Sequence, residues 1–148
     1  MKANYVIIGA GISGCSIAYN LAAKGVKDIV VVEKDYLTSG STGRCGAGIR
    51  QQWGTKMNCL LAKASIEFFE TAQVTLEYDG DIEFKQEGYL IVAVDEEEDE
   101  QFAKNVELQK CLGIPAKKIT KREAREIVPH LNTDAIVSAT FCSTDGHL

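Results

Sequence analysis

Gly9, Gly11 and Gly14 stand in the order G-x-G-x-x-G, directly after the apolar run Tyr5-Val-Ile-Ile8. When such a triplet follows a strand and opens a helix, each glycine has its own task. The first permits the tight turn. The second lets the backbone approach a pyrophosphate with no Cβ in the way, and the third lets helix and strand pack closely. The helix N-terminus, with Ala10, Ile12 and Ser13 between the glycines, offers free N–H groups and partial positive charge to phosphate oxygens. Glu33 completes the pattern at the end of the next apolar run, about 20 residues past Gly14, where a carboxylate can accept hydrogen bonds from both ribose hydroxyls. An acid at that point repels a 2′-phosphate, so NADP is disfavoured.

A second stretch separates NAD from FAD. Ser39-Gly-Ser-Thr-Gly-Arg-Cys-Gly-Ala-Gly-Ile-Arg50 is built of glycines, hydroxyls and two arginines. A nicotinamide domain normally passes from its second strand into another short helical crossover. Here small residues suit a backbone lying against a flat ring and a pyrophosphate. Ser41 and Thr42 can donate to phosphate oxygens, and Arg44 or Arg50 can offset negative charge. The competing reading is a flexible loop, although loops of this length in compact domains are usually functional or disordered.

The elements that must hold these residues are legible around them. Tyr5–Ile8 reads as a buried strand, Ile12–Lys24 as a helix stopped by Gly25, and Asp28–Glu33 as a second buried strand. That order implies a right-handed parallel strand–helix–strand unit. Residues 34–56 have no clear period, and 57–71 read as a helix. Ile82–Phe84 and Tyr89–Val94 look like an antiparallel pair of strands around Gly88. Asp95 with Glu98 can cap a helix running to about Leu112, and Thr120 with Glu123 a short one ending before Pro129. Residues 135–141 alternate as a further strand. His130, beside Pro129, reads as a turn residue.

Composition narrows the function classes. The chain has 148 residues, 45% hydrophobic and 25% charged, with a net charge of −5, which gives no basic field for nucleic acid. The acidic run Asp95–Glu100 reads as a solvated helix start. Five cysteines, Cys15, Cys45, Cys59, Cys111 and Cys142, form no C-x-x-C pair, and their odd number excludes complete pairing; reduced thiols in a cytoplasm and no metal site are expected. No apolar run reaches the roughly 18 residues that span a bilayer. Lys2 before an apolar run faintly resembles a signal peptide, but the glycines at 9, 11 and 14 break that pattern.

Taken together, "VIIGAGISG", "VVVEK" and "GSTGRCGAGIR" resemble the amine- and amino-acid-oxidising flavoproteins of the D-amino acid oxidase superfamily. Within it the likeness is greatest to the β subunits of heterotetrameric sarcosine oxidase and of dye-linked L-proline dehydrogenase. It continues through "NCLLAKASIEFFE", "EGYLIVAV", "REAREIVPHL" and "STDGHL", in the family's order. The resemblance implies an α/β fold: a Rossmann-like FAD-binding βαβ start, residues 1–76, followed by the beginning of an α+β substrate domain, residues 77–148. It implies noncovalent FAD, with the adenosine ribose on Glu33 and Lys34 beside it, and the pyrophosphate over Gly9 to Gly14. Ser41 and Thr42 then lie beside the pyrophosphate, while Arg44, Cys45, Gly46, Ala47, Gly48 and Ile49 run toward the isoalloxazine ring. Arg50 falls near the flavin, where a cation stabilises reduced flavin or attracts a substrate carboxylate; it is the one catalytic candidate, and a surface or structural ion pair is its alternative.

The resemblance covers roughly the first third to two-fifths of such an enzyme. The strand that completes the parallel sheet is missing from it, so a truncated product or one part of a split enzyme is expected, incomplete relative to the family fold. Such a piece exposes sheet edges that a partner subunit or self-association would cover. The full enzyme would oxidise the C–N bond of a sarcosine-, glycine- or proline-like substrate by hydride transfer to flavin N5; this chain alone is expected to be inactive. The alternatives are an FAD- or ADP-binding or structural module without turnover, and an NAD-dependent dehydrogenase, against which the loop at 39–50 argues.

Overall fold

The computed structural model describes residues 2–148, which divide into two compact units, one ending at Gly46 and the other running from Ala47 to Leu148. In the first, strand β1 (Tyr5–Ile8) leads through the glycine turn into helix α1 (Ile12–Ala23), and the chain returns as β2 (Ile29–Val32). The strands pair in parallel with Tyr5 opposite Ile29 and Ile8 opposite Val32. β-Branched residues suit the pleat, and the crossover helix is what allows parallel pairing. The positive-φ Gly25 follows α1, and its N–H donates to Ala22 O at 2.8 Å. The strands expected here are confirmed in type and position, but not in burial. Ile8 is 88% exposed and Val6 59%, because two strands and one helix leave most of the sheet uncovered.

The second unit opens with the short strand β3 (Gly48–Ile49) and the helix α2 (Lys56–Thr75). Thr55 caps α2 by accepting the Asn58 N–H. Strand β4 (Tyr89–Ala93) precedes helix α3 (Glu96–Cys111), strand β5 (Ala116–Thr120), helix α4 (Lys121–Ile127), strand β6 (Ser138–Cys142) and strand β7 (Gly146–His147). One antiparallel sheet has the order β4-β6-β5, and β3 and β7 form a separate antiparallel ribbon. Cys59, Ile114, Ala116 and Cys142 are buried together, with Leu112 packed against them.

Both capping pairs form. Asp95 accepts the Glu98 N–H, and Thr120 and Glu123 make a complete capping box. Most of the acidic run is a solvated first turn of α3; Asp99 is the exception, bonded to Lys118 at 2.7 Å and to the Ser138 hydroxyl.

One expected strand pair needs correction. Residues 82–84 are not a strand, and β4 pairs with β6 instead. Asp81 accepts the Glu83 N–H at 2.8 Å and Glu83 takes φ +56, a local turn that competes with the ladder. The strand β5 forms in a stretch to which the sequence assigns no element, paired antiparallel with β6.

Candidate functional site

The glycine turn is built around close approach. Gly9 has φ +100, and its N–H extends the β1–β2 ladder to Val32 O at 2.7 Å. A Cβ on Gly14 would stand 1.9 Å from Gly9 O, and one on Gly11 would stand 3.0 Å from Thr42 Oγ1. Gly11 is the N-cap of α1, with no side-chain cap. The Ile12 N–H donates to Thr42 Oγ1 at 3.0 Å and the Cys15 N–H to Gly11 O at 3.0 Å. Among the described residues the N–H groups of Ser13 and Gly14 have no acceptor, and the first turn of α1 holds no acid. A helix end with unspent donors and uncompensated partial positive charge accommodates phosphate oxygens.

Glu33 sits at the mouth of this turn. Its Oε2 accepts the Ala10 N–H at 2.9 Å, and its Oε1 accepts the N–H groups of Lys34 at 2.8 Å and Asp35 at 3.1 Å. The Ala10 bond first, then that from Asp35, holds its carboxyl below the ordinary glutamate value. A carboxylate has about four acceptor positions, so this set leaves about one for a ribose hydroxyl.

The loop after Glu33 folds back on the same turn. The Thr38 N–H reaches Ala10 O at 3.0 Å, and Thr42 meets Ile12 as above. Accepting from Ile12 leaves the Thr42 hydroxyl proton free to donate. Arg44 Nε bonds Ser39 O at 3.1 Å, and the exposed Cys45 thiol donates to Thr42 O. Lys34, Asp35, Ser39, Gly40, Ser41 and Arg44 line an open cleft of about 540 Å³. Thirteen expected site residues, from Gly9 to Gly46, thus belong to one unit.

Ala47, Gly48, Ile49 and Arg50 belong to the other. β3 pairs with β7, Gly48 opposite His147 and Ile49 opposite Gly146, while the Leu148 N–H donates to Ala47 O. Arg50 is half-buried, with its guanidinium 4.5 Å from the Trp53 ring centroid and 6.0 Å from that of Tyr89. No carboxylate lies within ion-pair distance of it among the described residues. Its guanidinium occupies a cation–π seat instead. Gly48, Ile49, Arg50, Trp53, Ser65 and Tyr89, with Ala62, line a cleft of about 390 Å³.

Three residues with no expected role form a buried polar cluster beside Arg50. Asp145 is fully buried; Oδ1 accepts the Gln51 N–H at 3.1 Å and Oδ2 accepts Gln52 Nε2 at 3.1 Å. Burial pushes the Asp145 carboxyl above the ordinary value, opposed by the Gln52 and Gln51 donors. Its only sequence signal is an acid followed by glycine at a strand end. Among the described residues no group of three or more acids, cysteines and histidines could hold a metal, all five cysteines are free thiols, and no helix is long and apolar enough to cross a membrane.

The family profile described as FAD dependent oxidoreductase matches residues 4–148. The chain belongs to the FAD dependent oxidoreductase family. The cofactor of this family is FAD, and the glycine turn, Glu33 and the free helix N-terminus fit the ADP half of that molecule. Dimethylglycine dehydrogenase from rat mitochondria is 30% identical over 148 residues, 99% of this chain and 17% of that protein. Sarcosine oxidase subunit beta of Rhodobacter capsulatus is 27% identical over 128 residues, 86% of this chain and 30% of that protein. The crystal structure of L-proline dehydrogenase from P. horikoshii superimposes with a TM-score of 0.87 at 41% identity, over 99% of this chain and 38% of that one. The chain therefore spans well under half the length of these relatives.

Proposed function

We propose that this chain forms the FAD-holding beginning of an enzyme that oxidises the C–N bond of a small amine or amino acid of the sarcosine, glycine or proline type. The observation that carries the reading is the pair of unspent N–H groups, Ser13 and Gly14, at a helix end whose turn tolerates no Cβ at Gly14. The names of the relatives support the substrate class, since they act on dimethylglycine, sarcosine and proline.

In this reading the α1 N-terminus and the Thr42 hydroxyl bind the pyrophosphate without covalent attachment, helped by Ser41 and Arg44. Glu33 accepts one ribose hydroxyl while it keeps its three backbone donors; a second would require it to release one of them. Bound FAD supplies a two-electron acceptor for the carbon that bears nitrogen. Residues 1–76 serve the nucleotide and 77–148 begin the substrate domain. Arg50, which has no carboxylate within ion-pair distance among the described residues, meets an anionic group at the reacting end, either the flavin or a substrate carboxylate.

The test is to load the protein with FAD, remove oxygen, and add proline, sarcosine or glycine while following flavin absorbance. Bleaching by one of them supports turnover by this chain. A retained but unbleached flavin band removes turnover and leaves a nucleotide-binding module.

A further inference from the structure

We infer that Asp145 is the positioning residue of the Arg50 cleft, acting through Gln51 and Gln52. The inference rests on reading Arg50 as a cation presented to an anionic group.

Among the described residues the Arg50 side chain is held by the rings of Trp53 and Tyr89, so its direction is set by whatever sets those rings. Trp53 is fixed on several sides. Its N–H donates to Gln51 O at 2.9 Å and its indole N–H to Arg50 O at 3.2 Å, while its carbonyl accepts Gln109 Nε2 at 2.9 Å and the Cys59 thiol at 3.1 Å. Tyr89 is held through its carbonyl, which accepts Gln52 Nε2 at 2.8 Å. The segment under both rings is thus Gln51–Gln52, and Asp145 grips each of these residues.

The Gln52 amide shows how that grip works. Its nitrogen has two protons, one on Tyr89 O and the other on Asp145 Oδ2, while its own oxygen is buried with no partner. Turned over, the amide would aim its oxygen at two acceptors. Asp145 and Tyr89 therefore fix the amide at the expense of its carbonyl. The second Asp145 oxygen takes the Gln51 N–H. Only a carboxylate accepts on both sides, since an asparagine NH2 would face one of the two donors. Asp145 is fully buried and, among the described residues, no lysine or arginine lies within ion-pair distance of it, an unfavourable place for a charge unless it is used as an acceptor. The backbone ties the clamp down as well, because the Gly88 N–H donates to Asp145 O at 2.9 Å.

Trp53 is the single tryptophan, so its fluorescence reports the cleft directly. The experiment compares quenching by iodide, an anion, with quenching by neutral acrylamide in the purified chain without added flavin, well below the melting temperature. Arg50→Met removes the local cation and is expected to lower the iodide-to-acrylamide ratio about twofold, the size of a screened charge effect at this range. Asp145→Asn and Gln52→Met, which both keep Arg50, are each expected to lower it by a similar factor. The double variant should add nothing further. A residue with only a structural role would lower the melting temperature and leave the ratio alone. A ratio changed by Arg50→Met but not by Asp145→Asn or Gln52→Met overturns the positioning role. A ratio unchanged by Arg50→Met overturns the reading of Arg50 itself. If Asp145→Asn does not fold, Gln52→Met decides.

Discussion

The Glu33 carboxylate accepts the Ala10 N–H at 2.9 Å and so ties the end of β2 to the turn that leaves β1. Glutamine has one acceptor oxygen where Glu33 uses two, so Glu33→Gln must release either Ala10 or the Lys34 and Asp35 donors. We expect ADP and FAD to bind about tenfold or more weakly to this variant, as charged acceptors are lost. Its preference for ADP over the 2′-phosphorylated analogue should also shrink, since the repelling charge is gone. Calorimetric titration of both nucleotides checks this; an unchanged preference speaks against Glu33 at the ribose.

Gly14→Ala tests the close approach. The added Cβ meets Gly9 O at 1.9 Å, a backbone atom that cannot swing aside, so α1 must move off β1. A destabilisation of about 1–3 kcal/mol is expected from overpacking of this kind. Gly40→Ala is the control, because a Cβ there meets nothing within 4 Å. Urea denaturation of the three proteins measures the difference.

The pH dependence of stability carries two opposing signatures. Glu33, Asp99 and Glu123 titrate below their ordinary values, held down chiefly by the Ala10 N–H, the Lys118 ammonium and the Thr120 N–H respectively. Their contribution is present above the ordinary carboxylate range of about 4 and is lost as pH falls through the lowered values. Asp145 is raised by burial, so its contribution is full below about 3.9 and is lost as pH rises through its folded value. Removing that group should make stability climb more steeply with pH on the acid side of neutrality. Urea midpoints of wild type and Asp145→Asn across that range test the sign; parallel curves would show that Asp145 does not titrate as described.

Exposure of the parallel sheet gives a further expectation. Val6 and Ile8 lie on one face of β1, 59% and 88% exposed. An uncovered apolar strand face recruits another surface. The purified protein should therefore self-associate with rising concentration in light scattering. Val6→Thr with Ile8→Lys should reduce that association while the circular dichroism of the second unit's helices persists.

Local chemistry explains which parts of this fold could be read from sequence. The βαβ unit follows from β-branched runs, the glycine spacing and Glu33, all within 33 residues. The Thr120–Glu123 capping box is likewise a short-range exchange of two hydrogen bonds. Misreadings arose where the deciding partner was hidden. Ile82–Phe84 alternates like a strand, yet the Asp81 side chain turns it. β5 carries Lys117 and Lys118 in an edge position, and its strand character comes from pairing with β6. The Asp145 clamp joins residues 94 apart in the chain, so burial and partners appear only once β7 lies beside β3. Thr42 could be read as a phosphate donor, but not as the acceptor for Ile12 that brings its loop to the helix end.

The most direct test of the whole account is FAD retention. The purified chain is mixed with FAD, passed through a desalting column, and its absorbance read at about 450 nm, where bound oxidised flavin absorbs. A flavin band that travels with the wild-type protein and is lost in Gly14→Ala is the expected result. A folded wild-type chain that emerges colourless, and gives no heat on titration with ADP, contradicts it.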